Sequence, residues 1–365
     1  MVTRNNSRSI GHIMKELYIP RSLKLQWHIT ERCNFRCSHC YQENYAGEEL
    51  SFDKLLEILN QFKDLLHSWR SQPGRRILGH ISVTGGEPFL RKDLFDLLEL
   101  LSLSNHLFTF SLMTNGSFVD KEVARKLRKL KPRSVQVSIE GTRDLHDQIR
   151  GSGSYNQAVS AIKCLKKEHI RTFLSFTVHR GNYHDFPDVA QVGRQMGVNR
   201  VWSDRLIPSG SGADLEGLTI DETKVFFEIM YKTHRKIRRR WFNRTKIPMH
   251  RSLQFLIAGG RPHQCTAGDT LITVMPNGDL YPCRRMPIQV GNLLETPLST
   301  LYYESELFQN LRDRNQISKG CERCLYSRLC RGGLKCLSYA VTSDPFTADP
   351  GCWLATPIKV ESKNY

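Results

Sequence analysis

No apolar run in the sequence approaches the roughly 18 residues needed to cross a bilayer, and the opening stretch MVTRNNSRSIGHIMKELYIP lacks the apolar core of a signal peptide. Both absences argue against a membrane-bound or exported chain, so a cytoplasmic protein is expected. In a reducing cytosol thiols stay unpaired, and clustered cysteines then read as metal ligands or catalytic groups rather than disulfides. Internal repeats and low-complexity tracts are also missing, which excludes solenoids and arrays. Acid is scarce: 36 Asp and Glu stand against 53 Lys and Arg, a formal charge of +17. That surplus suggests an acidic partner without choosing among nucleic acid, peptide and phosphorylated cofactor. Between Ile229 and Gly268 there is no acid at all.

What is present is a chain of 365 residues, long enough for two domains, with an apolar share of 39% that is too high for disorder. From about residue 23 short β-rich runs alternate with helical patterns, the mark of parallel βαβ units. Six strands are predicted: Leu23–Thr30, Ile77–Thr84, Leu107–Met113, Ser134–Ile139, Arg171–Val178 and Arg200–Leu206. The first helix should open on Ser51 as N-cap and carry Leu55, Leu59, Phe62 and Leu66 at helical spacing. Further helices are expected after Pro88, Gly116 and Gly153 and before Gly197. Six such units form an open sheet or part of a barrel, with ligands in either case at the carboxyl ends of the strands. Beyond Pro208 a Gly/Ser-rich loop precedes a helix from about Asp221 to Trp241, and LITVMPNGDLYPC reads as a hairpin with an Asn277-Gly278 type I′ signal. The divisions expected are an N-terminal segment 1–22, a βα domain 23–210, a basic helical linker 211–259 and a cysteine-rich domain 260–365.

Of 11 cysteines, Cys33, Cys37 and Cys40 lie in ERCNFRCSHCY, directly after the first predicted strand. Three thiolates cannot complete a tetrahedral zinc site unless His39 or a distant residue joins them. A cubane iron-sulfur cluster held by three leaves one iron free for a substrate. This loop resembles that of the radical S-adenosylmethionine (SAM) enzymes. Thr84-Gly85-Gly86-Glu87-Pro88, after the second strand, is similar to the family loop that receives the methionine ammonium group. Glycines let the backbone approach a ligand, and a carboxylate beside them can accept hydrogen bonds from a cation. By the same resemblance Asn115, Ser138 and Arg150 fall where SAM contacts lie, Ser138 at the ribose and Arg150 at the methionine carboxylate. The resemblance implies an α/β fold with a partial (β/α)6 TIM-like barrel and a [4Fe-4S] cluster on the three cysteines. It also implies a low-potential electron donor such as flavodoxin or ferredoxin, and cleavage of SAM to a 5′-deoxyadenosyl radical that abstracts hydrogen.

Seven more cysteines follow in the tail: Cys265, Cys283, Cys321, Cys324, Cys330, Cys336 and Cys352. A zinc ribbon could use Cys321, Cys324, Cys330 and Cys352. Behind a radical-type barrel, however, the Gly278-to-Cys283 step, the Cys321-Cys324-Cys330 core and the last cysteine resemble the SPASM extension. That implies a small auxiliary domain with two further [4Fe-4S] clusters. One would take Cys321, Cys324, Cys330 and Cys352; the other would take Cys265, Cys283 and Cys336, and would be either open at its fourth iron or capped by a group such as His263 or Asp269. The chain departs from the family in the longer gap between Cys330 and Cys336 and in lacking a second cysteine near Cys265. Cys164 reads as a buried small hydrophobe.

SPASM-bearing enzymes mostly modify peptides or proteins, and a smaller branch alters haem-like tetrapyrroles. The resemblance therefore implies a peptide maturase. The alternative is an enzyme acting on a small molecule such as a tetrapyrrole side chain, while the Gly-Gly-Glu-Pro loop argues against a mere iron-sulfur carrier or nucleic-acid module. Sulfatase maturases carry an acidic base after the Tyr-Pro-Cys step, where this chain has Arg284 and Arg285. A guanidinium cannot accept a proton, so formylglycine formation by that route is disfavoured. The acid-free stretch, with Lys232, Arg235, Arg238, Arg239, Arg244 and Lys246, is either a solvated helix face or a dock for an acidic leader peptide. Only about 22 residues precede the first strand, too few for a fused peptide-recognition domain, so recognition is expected to be direct or through a separate protein. No membrane partner is expected, and Trp241 with Phe242 is too little stacking surface for nucleic acid. Asp204 and Glu140, at strand ends, are candidates for proton transfer, but no catalytic acid or base is assigned.

Overall fold

The computed structural model describes residues 18–239 and 244–356. All six predicted strands form, as β1 (Ser22–His28), β2 (Leu78–Thr84), β3 (Phe108–Thr114), β4 (Ser134–Ser138), β5 (Thr172–Val178) and β6 (Arg200–Arg205). They pair in parallel in chain order. Strand alternation explains their two faces. On β1, Leu23, Leu25 and Trp27 join the core with Leu55, Leu59 and Phe62. Lys24, Gln26 and His28 take the other face, in register with His80, Ser82 and Thr84 of β2. The concave side of this partial barrel is thus polar.

The helices that cover the sheet are α1 (Phe52–Arg70), α2 (Leu94–Leu103), α3 (Lys121–Leu130), α4 (Arg143–Arg150), α5 (Ser154–Lys167) and α6 (Phe186–Gln195), followed by α7 (Ile220–Arg238). Ser51 caps α1 by accepting from the Lys54 amide, and Thr219 with Glu222 forms a capping box on α7. Helix α4 has no counterpart among the predicted elements. Only His146 and Ile149 are buried along its eight residues, too few apolar positions to mark a period. The predicted helix end at Trp241 lies outside the described residues.

The tail does not form a separate layer. Strand β7 (Leu271–Val274) pairs in parallel with β1, and β8 (Asp279–Tyr281) and β9 (Gly291–Asn292) follow antiparallel, so one sheet runs β6-β5-β4-β3-β2-β1-β7-β8-β9. The β7–β8 turn differs from the type I′ expectation. Gly278 has φ +92°, Asn277 keeps a negative φ, and the Gly278 amide donates to the Met275 carbonyl at 3.0 Å. Pro276 fixes a negative φ at the second turn position, which a type I′ turn forbids, so a type I turn with glycine in the left-handed position closes the hairpin. Short helices α8 (Phe255–Ala258), α9 (Leu298–Glu304), α10 (Glu306–Arg312), α11 (Ser327–Cys330) and α12 (Lys335–Thr342) complete the tail.

One buried ion pair fastens this tail to the barrel. Arg205, the last residue of β6, grips Asp349 with two contacts of 2.8 and 2.5 Å, and the side chains are 5% and 0% exposed. Asp349 also accepts from Ser252 Oγ and from the Leu334 and Gly351 amides. Removing the carboxylate strands a guanidinium away from water. Asp349→Ala should therefore cost about 3–5 kcal/mol in urea unfolding, and Arg205→Met with Asp349→Leu should recover most of it. A loss under about 1 kcal/mol in the single variant would mean that the pair is not what joins the two parts.

Candidate active site at the carboxyl ends of the strands

The loop that follows β1 is pinned on two sides. The Ser38 amide donates to the Ile149 carbonyl of α4, the Gly212 amide to the Cys40 carbonyl, and the Cys40 amide to the Cys37 carbonyl, each at 3.0 Å. This brings Cys33, Cys37 and Cys40 into one another's electrostatic field. Burial pushes the Cys33 thiol up to about 11, and Glu87, Cys37 and Cys40 add to the rise. Thiols so crowded resist ionising until a metal centre takes up the thiolate charge, which is the chemistry of an iron-sulfur ligand set. Among the described residues no three Cys, His, Asp or Glu side chains close on a point where a single ion would be held.

The β2 loop lies against this one. A Cβ on Gly85 would meet the Thr30 carbonyl at 2.5 Å, and one on Gly86 would strike the Arg32 carbonyl. The Gly86 and Glu87 amides donate to those same carbonyls at 2.9 and 2.8 Å. The glycines are therefore required first by contact with the cysteine loop, a reason different from the ligand approach expected of them. Glu87 is 0% exposed and accepts from Thr114 Oγ1 and the Asn115 amide, both at 2.8 Å, and from the Phe89 amide. Burial pushes its carboxyl up to about 7 against these donors. No cation among the described residues lies within ion-pair distance of it, so an ammonium group is the partner its chemistry lacks. Asn115 Nδ2 in turn donates to Asn34 at 2.9 Å, tying the end of β3 to the residue after Cys33.

Arg150, at the end of α4, reaches Glu140 at 2.5 and 3.2 Å and points Nη1 at Cys37 Sγ, 3.6 Å away. His39 Nε2 lies 3.4 Å from both Arg150 and Glu140. Glu140 also accepts from the Thr177 amide at 2.8 Å. The fork predicted to meet a free carboxylate is thus already engaged with an internal one. Ser138 ends β4 with its hydroxyl 3.4 Å from that of Ser175. Burial alone would raise the Glu140 carboxyl, but Arg150 and His39 hold it well below the usual range, and Arg251 and Arg285 do the same to Asp204. Carboxylates held this firmly have little proton affinity, so both act as fixed anions rather than as bases.

In the tail, Cys321, Cys324, Cys330 and Cys352 line one cavity of about 360 Å³ together with Leu253, Phe255 and Asp349. Cys265, Cys283 and Cys336 form a second set: burial drives the Cys336 thiol well up, and Cys283 and Cys265 add to it while Arg285 opposes. Of the two suggested caps, Asp269 gives its carboxylate to Tyr18 and its carbonyl to Tyr302. His263 is pushed down to about 4 by burial and by Arg251. Cys164 is only half-buried on α5. On α7, His234, Arg235, Arg238 and Arg239 line an open cleft of about 1120 Å³ with Met249 and Gly259. No carboxylate among the described residues pairs with these arginines. Trp241 and Phe242 lie outside the described residues. None of the described helices is long and apolar enough to cross a membrane.

Sequence reasoning missed Asn34, Tyr41, Arg205 and Asp349 altogether. Their roles depend on neighbours distant in the chain, and only proximity to a cysteine could have drawn notice to Asn34 and Tyr41.

Comparison with known proteins agrees with this geometry. Residues 27–192 match the Radical SAM superfamily, and residues 265–325 match SPASM, an iron-sulfur cluster-binding domain. The Fe-coproporphyrin III synthase of Methanosarcina barkeri is 25% identical over 90% of this chain and 87% of its own length. The mycofactocin maturase MftC of Mycolicibacterium smegmatis is 26% identical, with 92% and 85% covered. Streptococcus suis SuiB bound to S-adenosylmethionine shares the fold with a TM-score of 0.71 at 18% identity, over 91% of this chain and 77% of that one. The structure of anSMEcpe with bound AdoMet gives 0.73 at 18% identity, over 91% of each chain. The chain belongs to the radical SAM superfamily of iron-sulfur, SAM-dependent enzymes and carries a C-terminal SPASM domain.

Proposed function

We propose that this enzyme is a peptide maturase, which modifies or crosslinks a ribosomally made peptide. With a [4Fe-4S] cluster on Cys33, Cys37 and Cys40, reductive cleavage of SAM supplies the 5′-deoxyadenosyl radical that takes hydrogen from the substrate. Glu87 receives the methionine ammonium, backed by the Gly85-Gly86 backbone, and Asn115 and Ser138 complete the SAM pocket. Arg150, held by Glu140 and aimed at Cys37, would lend its positive charge to the methionine carboxylate without its fork being free. Cys321, Cys324, Cys330 and Cys352 hold one auxiliary [4Fe-4S] cluster, and Cys265, Cys283 and Cys336 hold the other. A flavodoxin- or ferredoxin-like donor supplies electrons.

The observation that carries the peptide assignment is the cleft of Arg235, Arg238 and Arg239, whose arginines pair with no carboxylate among the described residues and so suit an acidic leader. A separate recognition protein could share that task. Similarity to the mycofactocin maturase supports the same view, as does the likeness in fold to SuiB bound to its precursor peptide SuiA. The second reading, a small-molecule enzyme, is favoured by the similarity to the Fe-coproporphyrin III synthase.

Three outcomes are expected. Cys37→Ala should eliminate 5′-deoxyadenosine formation under reduced, oxygen-free conditions, and undiminished production would sink the cluster assignment. Glu87→Gln keeps the shape and removes the charge, so SAM should bind about tenfold or more weakly in equilibrium dialysis; equal affinity would leave the ammonium contact unsupported. Co-expression with neighbouring genes should yield a peptide of altered mass whose binding weakens steeply between about 0.05 and 0.5 M salt. A modified tetrapyrrole with no modified peptide would favour the second reading.

A further inference from the structure

A cluster of cations stands inside the barrel with too little anion to balance it. Asp204, near the end of β6, accepts from Arg285 Nη1 at 2.6 Å and from Arg251 Nη2. Their side chains are 11%, 23% and 30% exposed respectively, so water reaches the group from the barrel mouth. Arg284 lies over the Tyr41 ring, 4.8 Å from its centre, and acts on the buried His28. Lys24, on the concave face of β1, is pushed down to about 8 by burial and by Arg251, with Arg285 adding to the effect. Arg251 and Arg285 thus share one carboxylate, with Lys24 in the field of both.

The hydrogen-bond inventory is also incomplete there. Arg251 Nε, Arg284 Nε and His28 Nε2 are buried without partners. Guanidinium N–H groups are seldom left so, because each unmade bond carries the full cost of desolvation. No carboxylate among the described residues lies within ion-pair distance of Arg284, whose guanidinium lies over the Tyr41 ring. Tyr41 follows Cys40 and Arg284 follows Cys283, so the cluster lies between the first cysteine set and the tail's three-cysteine set.

We infer that Arg284 receives a carboxylate of the substrate, which places the group to be modified between the two cysteine sets. The inference rests on the radical reading of the site but not on the substrate being a peptide. A carboxylate can accept two N–H groups of one guanidinium fork and supplies the anion that Arg284 lacks among the described residues. A peptide side chain or terminus and a tetrapyrrole side chain both offer it.

The test is equilibrium binding to the reconstituted full-length holoenzyme with SAM present. The probes are a tetracarboxylate porphyrin against its tetramethyl ester, and a glutamate-containing hexapeptide against its glutamine counterpart. The acid form of at least one pair should bind about tenfold or more tightly, and Arg284→Met should remove that preference at unchanged iron content. Preference in the peptide pair, alone or with the other, supports both the carboxylate site and the maturase assignment. Preference in the porphyrin pair alone supports the carboxylate site and overturns the maturase. No preference in either pair of the unaltered enzyme overturns the carboxylate site, as does a preference that survives in Arg284→Met.

Discussion

The pair formed by Arg150 and Glu140 is the contact on which the arrangement of strand ends depends. Each partner belongs to a different element, Arg150 to α4 and Glu140 to the loop after β4, and each is buried. Neither could stay there alone, since an unpaired charge of either sign away from water is costly. Their second contacts carry the constraint outward, from Glu140 to the Thr177 amide on β5 and from Arg150 to Cys37. The position of a cysteine on the first loop is thereby set by strands that lie three and four places along the sheet.

The same device recurs twice more, and it gives the scarcity of acid a structural meaning. Asp349 gathers Arg205, Ser252 and two amides between barrel and tail, while Asp204 gathers Arg251 and Arg285 beside the three-cysteine set. In a chain with 36 acids against 53 bases, buried carboxylates serve as hubs around which several donors are fixed. Around Glu140 and Asp349 the surrounding donors are satisfied. Glu87 and Asp204 differ from these: the first has no cation within ion-pair distance among the described residues, and the second is shared by two arginines.

Much of this was legible in the chain. The six strands emerged within a residue or two of their predicted limits because each is a compact β-rich run bounded by turn residues. In the tail, four cysteines line one cavity and Cys265, Cys283 and Cys336 lie in one another's field, groupings set by contacts distant in the chain. Helix α4 was hidden because its packing uses a histidine and one isoleucine rather than an apolar stripe. The engagement of Arg150 with Glu140 was hidden because ten residues of helix and turn separate partners that the fold brings together. The turn at Asn277-Gly278 was misread because Pro276, one place earlier, decides its hand.

Continuity of the sheet is what converts these local features into one site. Because β7 continues the ladder from β1, Lys24 lies opposite Leu271 and Trp27 opposite Val274, a register that cannot slip by one residue without turning Ile272 and Val274 out of the core. Cys265 precedes β7 and Cys283 follows β8, so both are carried by a hairpin whose place beside the Cys33 loop is set by backbone hydrogen bonds. A tail attached only through a flexible linker would leave the separation between cysteine sets to loop entropy. Here it is fixed by strand spacing, and Tyr41, Arg284 and Arg285 fill the gap between the sets with aromatic and cationic groups. The Cys33 loop, the cations and the tail thiols are thereby carried by one continuous sheet, and fixed placement of this kind is the condition for aiming a reactive species at a single hydrogen.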